Sequence, residues 1–269
     1  MNDRVASMRV WLRLGASAVL FLARLPAAHA GDEVYLRWDN CLGDGGTYNK
    51  VFACDTNSGE DVLVGSFRLD QTTDNVTGFA LVVSIRTIEP ALPSWWQSQT
   101  GGCRAGSVSV SFASPAASAA CADLLADNPM TNAFAYLYFG PDYSQLRILR
   151  QMPAGSLGFT IPGGQEVFAF RVRIGHERSA GAPDCPGCLT PACLALSWVE
   201  VDRTAGFGFS RVYGSETPGN GSNVTWQPGA VAKTVTIFST GQPIGADVEC
   251  RSVTPALPRT WGTIKALYR

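Results

Sequence analysis

The chain has 269 residues, a formal net charge of −1, 46% hydrophobic residues and eight cysteines. A balance this close to neutral supplies no basic patch, so neither nucleic acid nor an anionic membrane surface is an expected partner. Two histidines in the whole chain leave few ways to build a general base near neutral pH.

The first thirty residues read as an export signal. Arg4, Arg9 and Arg13 form a positive start, and Leu14–Ala23 is an apolar run of ten. A bilayer span needs about 20 apolar residues. Ala28-His29-Ala30 is the small-x-small pattern of a cleavage site. Cleavage after Ala30 is expected, leaving 31–269 as one β-rich domain that is secreted or periplasmic and has no membrane span. His29 leaves with the signal, so His176 is the sole histidine of that domain. All eight cysteines lie beyond the signal, an even number in a compartment where disulfides persist.

The rest of the chain reads as strands and turns. Val34, Leu36 and Trp38 alternate with Glu33, Tyr35 and Arg37, the period of a half-buried strand. The Gly-rich stretch Asp39–Gly46 breaks it, and Tyr48–Ala53 is placed to pair back. Val62–Leu69 is a further strand. Gly78–Ile88 is apolar on both sides and should be central. Pro90 and Pro93 end it, and Ser94-Trp95-Trp96-Gln97 follows in a loop.

Val108, Val110 and Phe112 alternate with serines. Ala116–Asp127, rich in alanine and stopped by Asn128-Pro129, predicts one short helix. Ala133–Phe139, Gln145–Gln151, Leu157–Ile161 and Glu166–Ile174 read as strands, the last two flanking the turn Pro162-Gly163-Gly164-Gln165. Leu194–Val201, Phe207–Tyr213, Asn223–Gln227 and Val231–Phe238 complete the series. The pattern predicts an all-β fold: a disulfide-stabilised antiparallel β-sandwich or jelly roll with one short helix.

Proximity in the chain suggests the bridges Cys41–Cys54 and Cys103–Cys121. Cys185, Cys188, Cys193 and Cys250 then allow three pairings. The favoured one ties Cys250 to the knot Cys185–Cys193, with one bridge inside the knot. The same four thiols have a spacing that zinc would accept, but export favours disulfides.

The cysteines, Leu63-Val64-Gly65-Ser66-Phe67, Gly140-Pro141, Cys185-Pro186-Gly187-Cys188, Val224-Thr225-Trp226-Gln227 and the tail Thr260–Tyr268 together resemble a group of uncharacterised exported bacterial proteins. The group has no assigned activity. The resemblance implies export, disulfides and a single β-rich domain, and no catalytic residue.

Catalytic signatures are sparse. The sole remaining histidine, His176, reads as a solvated loop residue. No Gly-x-Ser-x-Gly elbow is present, and Gly208-Phe209-Ser210-Arg211-Val212 fails at its last position. Asp39, Asp44 and Asp55, in loops around the first cysteines, are candidate oxygen ligands for calcium. Trp95 and Trp96 are candidates for an exposed aromatic platform that binds carbohydrate or another cell-surface component, and the competing reading plugs them into the end of the sandwich. Glu166, Glu200 and Asp202 lie on or beside strands, where a carboxylate pair could serve glycoside hydrolysis. The expectation is an exported, non-enzymatic module that binds a ligand such as a glycan; the alternative is a secreted, carboxylate-dependent glycan hydrolase.

Overall fold

The computed structural model describes residues 31–87, 89–115, 119–214 and 221–227, with the two-residue strands 234–235, 238–239, 242–243 and 248–249. The signal expected over 1–30 and the cysteine at 250 lie outside the described residues. So does part of the strand expected over 231–238.

The described residues are all-β, with two short 3-10 turns as their only helical elements. The strands are β1 (Glu33–Trp38), β2 (Asn49–Lys50), β3 (Glu60–Arg68), β4 (Thr73–Thr87), β5 (Val108–Ser111), β6 (Cys121–Ala122) and β7 (Thr131–Gly140). They continue with β8 (Tyr143–Gln151), β9 (Phe159–Ile161), β10 (Glu166–Gly175), β11 (Ala192–Arg203), β12 (Phe209–Tyr213) and β13 (Asn223–Trp226). The smaller sheet runs β1-β3-β10-β5, with β6 beside β10. The larger runs β2-β13-β11-β4-β8-β7, with β12 on β11 and β9 on β4. Pairing is antiparallel except for β6 on β10 and β2 on β13.

The two sheets share one core. Leu36, Leu63, Phe67, Phe170 and Val172 of the small sheet join Phe79, Leu81, Val83, Ile148, Leu196 and Val199 of the large one in a single buried cluster. This is the sandwich that period-two patterning anticipates: each strand sends alternate side chains inward. β4 is central, between β11 and β8, as its two apolar faces suggest. Its inward Phe79, Leu81 and Val83 are buried, and its outward Val82 is buried as well.

One close approach sets the fit between β3 and β10. A methyl on Gly65 would fall 2.1 Å from the Phe170 ring, so only glycine admits that ring into the core. The β10 register shifts between Phe168 and Phe170. That bulge sends Phe168 out to a second cluster with Cys41, Val64 and Cys121, and turns Phe170 inward.

The helix expected over Ala116–Asp127 is absent from its described part. Cys121 and Ala122 form β6, and Leu124–Asp127 is a turn. Alanine content favours helix only weakly. Here Cys121 is drawn beside β10 by its bridge to Cys41, and tertiary constraint overrides propensity.

The two bridges expected from proximity are both replaced. Cys41 pairs with Cys121, Cys54 with Cys188 and Cys103 with Cys185. Cys193 is disulfide-bonded too, so no bond links Cys185, Cys188 and Cys193 to one another. Each described bridge spans 80 residues or more, joining segments that meet only after the sandwich closes. A zinc site on Cys185, Cys188 and Cys193 is ruled out by the same bonds.

Candidate functional site

Trp95 and Trp96 do not form a platform. They are 0% and 1% exposed and plug the end of the sandwich, the competing reading of their sequence. Both rings pack on Trp226, with centroids 4.4 and 5.2 Å away. The loop that carries them lacks a strand's alternation, so no periodicity shows which way they point.

The calcium candidates do not converge. Asp39 pairs with Lys50 at 2.5 Å, Asp44 accepts the backbone N–H groups of Ala119 and Ala120, and Asp55 is exposed elsewhere. Among the described residues, one group of three metal-ligating side chain types comes together: Cys41, Cys121 and Glu166. The two sulfurs there are bonded to each other. Glu166 accepts hydrogen bonds from the N–H groups of Leu42 and Gly43 and from the Ser66 hydroxyl, so this carboxylate anchors a turn.

His176 is buried, not solvated. Its Nε2 lies 2.5 Å from Asp61 Oδ2, and Lys50 sits 3.2 Å from the other oxygen of Asp61. Among the described contacts the His176 ring is hydrogen-bonded to Asp61 alone, and Ser179 meets His176 through its backbone N–H, which donates to His176 O. Its neighbours tie the end of β10 to the start of β3, since His176 N–H donates to Gly59 O.

A concave site lies on the outer face of the large sheet. A trough of about 520 Å³ is lined by Ala80, Val82, Arg147, Trp198, Glu200 and Arg211, with Ala133 and Ala135 beyond. That volume falls within the range of about 300–1,000 Å³ seen for small-molecule sites. The cause lies in strand register. Val82 stands between Trp198 and Arg147, and Ala80 between Glu200 and Leu149. Short side chains on β4 run between long ones on β11 and β8, so the sheet surface sinks along β4.

One wall is preorganised. Arg211 bonds Glu200 through Nε at 3.0 Å and through a second nitrogen. Its guanidinium also lies 4.9 Å from the Trp198 ring centroid and 5.5 Å from that of Phe209. On the other wall, Arg147 is exposed; its hydrogen bonds go to the neutral Gln145 amide, and it covers the Phe139 ring. Asp202 follows Glu200 on the same face of β11. Burial, then the Glu200 charge, raises its pKa above the ordinary aspartate value.

That shift carries a sign. A carboxyl with a raised folded-state pKa binds its proton more tightly when folded, so stability rises as pH falls through that pKa and the charge costs stability above it. Asp202→Asn is therefore expected to stabilise the protein at neutral pH and to flatten its stability profile on the acid side. Urea midpoints measured across a pH series check this. A variant less stable than wild type at neutral pH would show that Asp202 makes a favourable charged contact instead.

Of the strand carboxylates considered from sequence, Glu200 lines the trough and Asp202 stands two residues along the same face, while Glu166 is on the other sheet. Sequence reasoning missed Trp198, Arg147 and Arg211. Trp198 was within reach, being two residues before Glu200 on the same face. Arg147 and Arg211 join it only through the registers of β8 and β12.

Searches against protein-family models, curated proteins and solved structures find no match for this chain. Among the described residues, no helix is long and apolar enough to cross a membrane.

Proposed function

We propose that this protein is an exported binding module whose site is the β4 trough, and that its ligand is carbohydrate. The carrying observation is the trough itself: an aromatic ring, two guanidinium groups, a carboxylate and an amide converge on a floor of small apolar residues. Sugars ask for that mixture, since they offer apolar C–H faces and a rim of hydroxyls. Disulfides on the described cysteines fit an oxidising compartment.

The arrangement favours binding over hydrolysis. A glycosidase needs one carboxylate free to act as nucleophile or base and a second carboxyl to donate a proton. Glu200, which shares a face of β11 with Asp202, is engaged by two nitrogens of Arg211 and so is not free for that role. A glycan array with the purified protein tests the reading. Wild type should retain a defined set of glycans. Trp198→Ala and Arg147→Ala should each weaken retention at least about tenfold, the equivalent of 1.4 kcal/mol. Retention of no glycan by wild type, or retention untouched by both substitutions, would remove the trough as a carbohydrate site. Release of reducing ends from a retained glycan, abolished by Asp202→Asn, would establish the hydrolase instead.

A further inference from the structure

Sheet edges are where a β protein can join another chain, because they present unpaired N–H and C=O groups. Most edges here are short or covered. β12 has five residues, β5 four, and β2 and β6 two each. β1 is longer, but its Leu36 N–H donates to Gly221 O and its Trp38 N–H to Thr47 O.

β7 differs on every count. It has ten residues and, among the described residues, pairs only with β8. Its register is regular from Thr131 to Tyr138, with an irregularity only before Gly140. Its sequence, Thr131-Asn132-Ala133-Phe134-Ala135-Tyr136-Leu137-Tyr138-Phe139-Gly140, holds no charged residue and no proline, the usual guards of an edge. Phe134, Tyr138 and Phe139 are 45%, 41% and 43% exposed. Long, regular in register, uncharged and aromatic, this edge has properties that natural sheets suppress where pairing is unwanted.

We propose that β7 pairs antiparallel with β7 of a second copy, joining two large sheets into one continuous sheet. The lack of charge selects the partner: a charged peptide finds no complement along the strand, whereas the strand meets no repulsion from itself. An antiparallel pair about a two-fold axis is isologous, and it consumes the one long edge that each copy leaves open among the described residues. Assembly therefore stops at two. Ala133 and Ala135 lie both on β7 and at the margin of the trough, so pairing places the two troughs on the same face of the joined sheet.

Light scattering and sedimentation equilibrium over a concentration series test this on the purified protein. Wild type should have the mass of two chains at high concentration. Phe134→Lys combined with Tyr138→Lys, and separately Ala133→Lys, should weaken the dimer at least about a hundredfold. All three positions are exposed, so circular dichroism should stay that of the wild type. Hydrogen exchange on wild type supplies a reading free of any substitution: amides of 131–138 should exchange more slowly at high concentration than at low. A single-chain mass at every concentration would overturn the proposal. So would a dimer indifferent to the lysines, open-ended growth, or exchange that does not depend on concentration.

Discussion

Trp226→Ala is expected to cost about 3–5 kcal/mol of folding stability, the range for emptying a buried large aromatic site. Trp226 is fully buried at the hub of the aromatic plug. Phe52 stacks on it at 3.4 Å, and the rings of Trp95, Trp96 and Trp38 pack at 4.4, 5.2 and 5.9 Å. Its Nε1–H also donates to Cys188 O at 2.8 Å. Removing the ring opens a cavity, strips four aromatics of a neighbour and leaves that carbonyl without its donor. The cavity cannot readily collapse, because the Cys54–Cys188 bridge holds the segments beside it. A domain is commonly stable by about 5–15 kcal/mol, so the change takes a large share. Urea unfolding, with m compared between the proteins, measures it. Trp226→Phe should recover part of the loss. A Trp226→Ala cost below about 1 kcal/mol would show that the plug is not the keystone that its packing implies.

Arg104→Ala should cost about 3 kcal/mol or more, summing the loss of charge-assisted bonds to buried carbonyls. Arg104 is 2% exposed. Its guanidinium donates to Glu177 O, Trp95 O and Gly175 O, and lies 3.7 Å from the Trp95 ring centroid. One side chain thus ties the Trp95 loop to the end of β10. Burial lowers its pKa to about 10, which still leaves it charged at neutral pH. Arg104→Lys keeps the charge and loses the planar fork, so it should recover little. Full recovery by lysine in the same unfolding assay would mean that charge alone matters there and the three-way bonding does not.

Much of the fold was legible because a strand's inward face repeats every second residue. β1, β3, β8, β10 and β11 each carry that period in their own residues, and so does the sandwich that follows from packing such faces together. The helix expected at 116–127 rested on propensity, a force weaker than a disulfide partner and a sheet edge. The bridges rested on nearness in the chain, which a sandwich defeats by bringing residues 80 or more positions apart into contact.

The trough was half legible. Trp198, Glu200 and Asp202 share a face by simple alternation, and strand residues of that kind are visible in any reading of β11. Arg147 and Arg211 are not, since nothing in the chain states that β8 lies one strand from β11 across β4. Trp95 and Trp96 were recognisable as large aromatics, but a loop has no period to show whether they face water.

The sequence by itself determined the all-β class, the inward faces of the main strands and the central place of β4, because alternation and hydrophobicity act over a few neighbouring residues. Only the tertiary structure decided which cysteines bond, that the Trp95-Trp96 pair is core, where the trough lies and which edge is unpaired among the described residues. Those outcomes depend on strand order and register, which are fixed by contacts between residues far apart in the chain.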